Sequence, residues 1–245
     1  MASSKPRQKP LYLLKRLPTL SHEQFCDHWY EVHPTVLRSI PEWVELRSGY
    51  VQSHLIGAGN LADWQFPYDG VTQVYVRPGT ESGPTFPELP VFRERVIPDE
   101  KSFLDRERTI VLKTLEHVVV PGSSAVKVFI FHRRRADLSL REFTDYWTSQ
   151  HREIVLDQKD FSRELRGYRQ NVLIAGQSRY LAGEVLPAHE DFDGASEFWF
   201  DSVEAAEDAF RTSAYKSEIG GGSTGHFDLS REIACAVDPR VILPE

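Results

Sequence analysis

One stretch of this sequence occurs twice at a fixed spacing. The segment Leu20-Ser-His-Glu-Gln-Phe-Cys-Asp-His-Trp29, followed by His33, returns as Leu138-Ser-Leu-Arg-Glu-Phe-Thr-Asp-Tyr-Trp147, followed by His151. Phe25, Trp29 and His33 thus each find a counterpart 118 residues later. Ser48-Gly-Tyr50-Val-Gln52 and Arg166-Gly-Tyr168-Arg-Gln170 keep the same spacing. Tyr68-Asp-Gly-Val-Thr-Gln-Val-Tyr-Val76 answers Phe192-Asp-Gly-Ala-Ser-Glu-Phe-Trp-Phe200 at a spacing of 124, the slip being a longer loop in the second copy. A repeat of this length is a duplicated domain, not a solenoid unit. In a chain of 245 residues each copy is the size of one small domain. The boundaries fall at 9–120 and 125–243, with Val120-Pro-Gly-Ser-Ser124 as the linker.

Each copy reads as the same series of elements. Lys9–Lys15 and Val126–Phe131 are short apolar runs suited to buried strands. Ser21 with Gln24, and Ser139 with Glu142, are capping boxes that open a helix. The first helix is expected to run to about Ser39, with Pro41 stopping it. Tyr50–Ile56 and Tyr168–Ile174 are second strands; Val71–Val76 and Ala195–Phe200 are third strands, each preceded by an Asp-Gly read as turn chemistry. Ser202–Lys216 has helical spacing of apolar residues, whereas Pro87, Pro90 and Pro98 leave only a short irregular helix around Val91–Val96 in the first copy. Arg108–Val119 and Glu232–Val237 complete a βαββαβ order twice over, the ferredoxin-like unit. Such a unit leaves one sheet face bare. Two joined copies cover it by packing sheet to sheet, giving an α+β fold with a barrel-like core and helices outside.

The bulk numbers exclude several partners. A formal charge of −7 argues against a general nucleic-acid or anionic-membrane surface. The basic cluster His132-Arg-Arg-Arg135 reads as a solvated strand end. No apolar run is long enough to span a membrane, and the N-terminus lacks the apolar core of a signal peptide. Cys26 and Cys235 have no metal-ligand spacing and read as free thiols of a cytoplasmic protein.

On a regular helix, Phe25, Trp29, Val32 and Val36 form one apolar face with His33 at its edge, and Phe143, Trp147, Ile154 and His151 repeat the pattern. A half-desolvated imidazole there is either a general acid or base at the mouth of a cavity, or a tie between helix and strand. Tyr50 and Gln52, like Tyr168 and Gln170, share one strand face and could orient a carbonyl or phenol, or bond to backbone. The copies differ where His28 becomes Tyr146, Ser53 becomes Asn171 and His54 becomes Val172. With His28, His33 and His54 in the first copy and only His151 in the second, the working site is expected mainly in the first. His28 and His33 diverge by roughly 140° on a helix and make poor joint metal ligands; no metal, phosphate-loop or dinucleotide motif is present. The glycine loop Gly220-Gly-Gly-Ser-Thr-Gly-His226 is a mobile loop or a gate.

These residues resemble the EthD family of the dimeric α+β barrel superfamily: a leucine-serine helix start, then Phe25, Asp27-His28-Trp29, His33 and Gly49-Tyr50-Val51-Gln52, matched by Phe143, Asp145, Trp147, His151, Gly167, Tyr168 and Gln170. The second copy departs at Tyr146. The resemblance implies two ferredoxin-like halves that mimic a homodimer, with His33 and His151 as functional histidines and Trp29 and Trp147 as cavity walls. Relatives across that superfamily include cofactor-independent lyases and isomerases acting on aromatic or polyketide compounds, and haem-dependent proteins. The expectation is therefore a cofactor-independent lyase or isomerase for an aromatic, phenolic or polyketide-like small molecule. His33, Tyr50, His54 and His151 are the candidate catalytic residues, and His28, Trp29, Gln52, Tyr146, Trp147, Tyr168, Gln170 and Asn171 the candidate substrate contacts, with no metal. The alternatives are a non-catalytic carrier of an apolar metabolite and, last, haem-linked oxidation. The protein is expected as a monomeric pseudo-dimer or a homodimer of it.

Overall fold

The computed structural model describes residues 6–57, 59, 64–80, 83–213, 215–220 and 225–244. In the first copy the strands are β1 (Arg7–Gln8), β2 (Leu11–Leu14), β3 (Arg47–Leu55), β4 (Gly70–Val76), β5 (Ile110–Leu112) and β6 (Thr114–Val120). Helices α1 (His22–Asp27), α2 (His33–Arg38) and α3 (Pro41–Leu46) lie between β2 and β3, and α4 (Ile97–Phe103) precedes β5. The second copy supplies β7 (Val126–His132), α5 (Leu140–Tyr146), α6 (Arg152–Asp157), α7 (Lys159–Ser162), β8 (Gly167–Leu173), β9 (Arg179–Tyr180), β10 (Gly194–Phe200), α8 (Val203–Arg211) and β11 (Ile233–Leu243). The result is an α+β fold on one antiparallel sheet of order β1-β6-β8-β10-β7-β11-β3-β4-β2-β5-β9. Because β1 runs on into β2, and β5 into β6, the two ends of that order are neighbours and the sheet closes on itself. Lys9 N–H, between β1 and β2, donates to Thr114 C=O at 2.9 Å and bridges the seam.

The copies are joined by their last strands. β6 pairs along β8 of the other copy, and β11 pairs with β7 through Ile233–Val237 and with β3 through Val237–Leu243. The sequence reading ended this strand at Val237; the extra residues are the ones that cross to the first copy. Inside the ring lie apolar side chains such as Leu11, Leu13, Phe129, Phe131 and Cys235. With them sits a charged group that composition did not signal. Lys9 Nζ lies 2.6 Å from Glu116 and 2.5 Å from Glu197, and Lys127 Nζ lies 3.5 Å from Glu197, all almost fully buried. Gln73 and Asn171 donate to Glu197 at 3.0 and 2.7 Å.

Both capping boxes form as read, on Ser21 and Ser139. The helix that follows is not regular. A π turn occupies His28–Val32 in the first copy and Trp147–His151 in the second. A π turn bonds i to i+5 and so delays every later residue around the axis. This turns His33 fully toward the sheet and leaves Val32, expected on the buried face, 43% exposed. The turn is held from the strand: Gln52 Nε2 donates to Trp29 C=O at 2.5 Å, and Gln170 to Trp147 C=O at 2.8 Å. Pro41 does stop α2, but it also opens α3 from its first turn.

The shared Asp-Gly pairs are not turns. Gly70 and Gly194 lie in strands, and a Cβ on Gly70 would meet the Trp29 ring at 2.6 Å; Gly194 stands in the same relation to Trp147. Gly70→Ala is expected to cost about 1–3 kcal/mol through overpacking, read as a lower urea midpoint; an unchanged midpoint would refute the tight fit. His132-Arg-Arg-Arg135 is not a free strand end either. His132 is buried, 2.5 Å from Glu232 and 2.8 Å from Ser196, and Arg134 is paired with Asp193. Cys26 and Cys235 are free thiols. No helix among the described residues is long and apolar enough to cross a membrane.

Candidate functional site

Strand alternation sends Leu13, Val51, Ser53 and Gln73 into the ring and Tyr12, Tyr50, Thr72 and Val74 outward, under the helices. In the first copy this outer layer does not close. Helices α2, α3 and α4 stand off the sheet over a cavity of about 480 Å³, whose wall includes Tyr12, Trp29, His33, Trp43, Tyr50 and Thr72.

The cavity exists because α4 continues where proline was expected to break the chain. Pro98 closely follows a π turn at Phe92–Val96, whose wider winding lets the helix run on through a residue that has no N–H. The first turn of α4 delivers Asp99 and Glu100. Asp99 receives His33 Nδ1 at 2.5 Å and His28 Nε2 at 2.8 Å. The expected 140° divergence of these histidines is cancelled by the π turn, which stacks residues five apart and brings both to one carboxylate. Burial works against the charge on Asp99, but the hydrogen bonds and charge of His33, then of His28, hold its carboxyl below the usual range. An ionised carboxylate only accepts, so Nδ1 of His33 carries the hydrogen and Nε2 is the basic nitrogen of a ring that lines the cavity.

The other polar groups on the wall are set apart in character. Burial pushes the Glu100 carboxyl up to about 7, with Arg106 restraining the rise and Asp99 adding to it. Its Oε2 lies 2.9 Å from Arg106 Nε, a close ion pair whose angle is too poor for a hydrogen bond. Burial pushes the Tyr50 hydroxyl up to about 12, against hydrogen bonds with Gln52, Trp29 and Thr72. Near neutral pH the cavity therefore holds a neutral phenol and a carboxyl poised to gain or lose a proton, beside a histidine ring oriented by a carboxylate.

Several candidates from the sequence lie elsewhere. His54 shares the strand face of Tyr50 but does not reach the cavity: its ring rests on Trp29 at 4.3 Å and its Nε2 on Gln52 Oε1 at 3.2 Å. Burial brings its pKa down to about 4. Gln52 is spent on Trp29, His54 and the Tyr50 hydroxyl. His28 does not line the cavity: its ring stacks at 4.6 Å on Phe103, which does, and its Nε2 is bonded to Asp99. In the second copy, Phe227 and Tyr215 fill the equivalent space, leaving about 10 Å³ beside His151, room for one water at most. His151 Nε2–H donates to Ile219 C=O at 3.0 Å. Tyr168 is fully buried against Phe198 and accepts from Gln170 at 3.0 Å, while Trp147 packs among Phe143, Tyr146 and Phe227. Tyr146 stacks on His226 at 3.6 Å. Asn171, one residue out of phase with Tyr168 and Gln170, points into the ring. None of these second-copy residues lines the large cavity. Residues 221–224 of the glycine loop lie outside the described residues, and among the described residues no group of three or more His, Cys, Asp or Glu could hold a metal ion.

Burial brings the His151 pKa down to about 4 from its ordinary 6.5. A histidine depressed in the folded state binds its proton more readily when unfolded, so its contribution is full above 6.5 and is lost as pH falls toward 4. His151→Gln is expected to flatten the decline in melting temperature across that window, by up to about 3 kcal/mol of pH-dependent stability. Parallel wild-type and variant profiles would contradict a buried neutral imidazole.

Asp99, Glu100, Arg106 and Arg47 were not anticipated. Asp99 and Glu100 follow a proline read as a breaker. Arg47 begins β3 at an odd position, yet a bulge between Arg47 and Gly49 shifts the pairing, and Arg47 lines the cavity along with Tyr50.

A family model described as EthD domain matches residues 17–107 and again 135–230. No curated protein matches in sequence. Among solved structures, the chain is similar to a candidate monooxygenase of Fusobacterium nucleatum, with a TM-score of 0.50 at 6% identity over 99% of this chain and 94% of that one. It is also similar to a candidate monooxygenase of Lactobacillus acidophilus, at 0.48 and 11% identity over 96% and 94%. A mutant chlorite dismutase from Candidatus Nitrospira defluvii follows at 0.46 and 12% identity over 96% and 93%. At such identities the likeness is one of fold.

Proposed function

The chain belongs to the EthD domain family, and we propose that its first copy is a cofactor-independent lyase or isomerase acting by proton transfer on an aromatic, phenolic or polyketide-like small molecule. On this reading each copy is a ferredoxin-like domain, and the fused pair does the work of a family homodimer. The observation that carries the activity is the His33–Asp99 contact of 2.5 Å on the wall of a cavity of about 480 Å³.

The steps need only this chain's side chains. His33 Nε2 removes a proton from carbon next to a carbonyl, and Asp99 stabilises the imidazolium by holding Nδ1–H. The charge passes to the carbonyl oxygen, which faces the Tyr50 and Thr72 hydroxyls. Protonated Glu100 gives its proton either to a leaving oxygen, completing a dehydration or cleavage, or to carbon, completing an isomerisation. Base and acid are told apart by environment, one oriented by a carboxylate and the other raised by burial. The apolar walls keep water from quenching the intermediate.

The test is to incubate metal-stripped protein with a pool of phenolic and polyketide compounds and follow mass changes, beside His33→Ala and His151→Ala. A product made by wild type and His151→Ala but not by His33→Ala supports the proposal, and its mass names the reaction. A compound retained through gel filtration and never converted identifies a carrier instead.

A further inference from the structure

The cavity contains a cation that the proton-transfer scheme does not use. Arg47 is only 8% exposed, and its Nε has no hydrogen-bond partner. Among the described residues its guanidinium makes one hydrogen bond, from Nη1 to the carbonyl of its own neighbour Leu46, at a long 3.3 Å. Among the described residues no carboxylate pairs with it, although the cavity holds one: Glu100 is taken by Arg106. What surrounds the Arg47 guanidinium is aromatic, with the Phe86 ring at 5.6 Å. A guanidinium buried without a counter-charge is costly. Among the described residues the imbalance extends to the rest of the lining, where Arg93, Lys113 and Arg179 stand with one further carboxylate, Glu88. This positive lining occurs in a chain of net charge −7, so it is local and not a by-product of composition.

We infer that the cavity takes its ligand as an anion, an aromatic or planar apolar acid whose carboxylate is bound by Arg47. The inference rests on the cavity being the ligand site, as proposed above, and adds the chemical class of what enters. A planar carboxylate matches the two-donor edge of a guanidinium, and the Phe86 and Trp43 side of the cavity suits the ring that bears it. Arg47 is thus a specificity residue. It fixes one end of the molecule, and the reacting carbon is presented to His33 by the rest of the wall.

The experiment compares 2-naphthoate with its uncharged isostere 2-naphthamide, titrated into the full chain and followed by calorimetry and by fluorescence of Trp29 and Trp43. Wild type is expected to bind the naphthoate at least tenfold more tightly. Arg47→Met should lose that preference while still binding the amide, and Arg47→Lys should keep part of it. Equal affinity of wild type for both compounds would overturn the anion inference and leave the cavity reading intact. Binding of neither would overturn both. Because the wild-type comparison needs no variant, the inference stays testable even if Arg47→Met does not fold. A preference that survives in a folded Arg47→Met would move the anion site to another cation and sink this assignment.

Discussion

Turnover by His33→Ala is expected to fall by about 10²–10⁴-fold, the usual span for a positioned general base or acid. The loss should appear in kcat, since a missing imidazole leaves the apolar walls and Arg47 untouched. Asp99→Asn is the sharper companion. An amide can present an N–H to Nδ1, which would turn the basic nitrogen away from the cavity, and it cannot stabilise an imidazolium. That variant should lose activity while binding 2-naphthoate as wild type does, and its pH profile should move. A purely structural His33 predicts otherwise: His33→Gln would then keep full activity, and Asp99→Asn would alter melting but not the pH profile. Retention of more than about a tenth of the wild-type rate in His33→Ala, a loss below the span expected for such a base, would end the acid–base assignment.

The second large effect lies away from the cavity. Glu197→Ala is expected to destabilise the protein by about 3–5 kcal/mol, because among the described residues it takes from buried Lys127 its carboxylate partner and leaves Lys9 with Glu116 alone. Lys9 stands 2.5 Å from this carboxylate and Lys127 3.5 Å, with Glu197 fully buried. For a chain of this size that is a fall of roughly 6–20 °C in melting temperature. Glu197→Gln keeps the volume and some hydrogen bonds and should fall in between. Burial opposes the charge on Glu197, but Lys9 and then Lys127 hold its carboxyl below the usual range. A carboxyl depressed in the fold stabilises above its unfolded pKa and loses that contribution as pH falls through the folded one. The gap between wild type and Glu197→Ala should therefore narrow in acid. A fall of less than about 2 °C at neutral pH would mean that the lysines find other partners or shed their protons.

Much of the frame was readable because it was written twice. The capping serines, the strand positions and the His33 and His151 pairing all follow from residues shared between copies. The errors have a common origin in backbone irregularity. A regular helical wheel cannot foresee a π turn, so it placed Val32 inside and separated His28 from His33. The second strand was read from Tyr50, so Arg47, which begins β3 ahead of a bulge, lay outside it and was given no face. Pro98 was weighed as a breaker, but the π turn at Phe92–Val96 lets the helix run on through it, and this hid Asp99 and Glu100. The lysines inside the ring were missed for a different reason. Lys9 and Lys127 are 118 apart and Gln73 and Glu197 are 124 apart, so the spacing that exposed the duplication also marks them; a lysine at a strand start reads as solvated until its neighbours across the ring are known.

The contact between Gln73 and Glu197 has a meaning in terms of symmetry. They are the same position in the two copies, and they touch at 3.0 Å across the middle of the ring. Two identical subunits related by a true two-fold axis would have to place the same residue on both sides. With glutamate twice, like charges would meet at hydrogen-bond distance and one would have to stay protonated; with glutamine twice, both lysines would go without this counter-ion. Fusion removes the obligation of sameness, so a donor can be matched to an acceptor on the axis itself. The one-sided cavity follows from the same freedom, since a copy that no longer has to resemble its partner can be filled solid while the other is hollowed out.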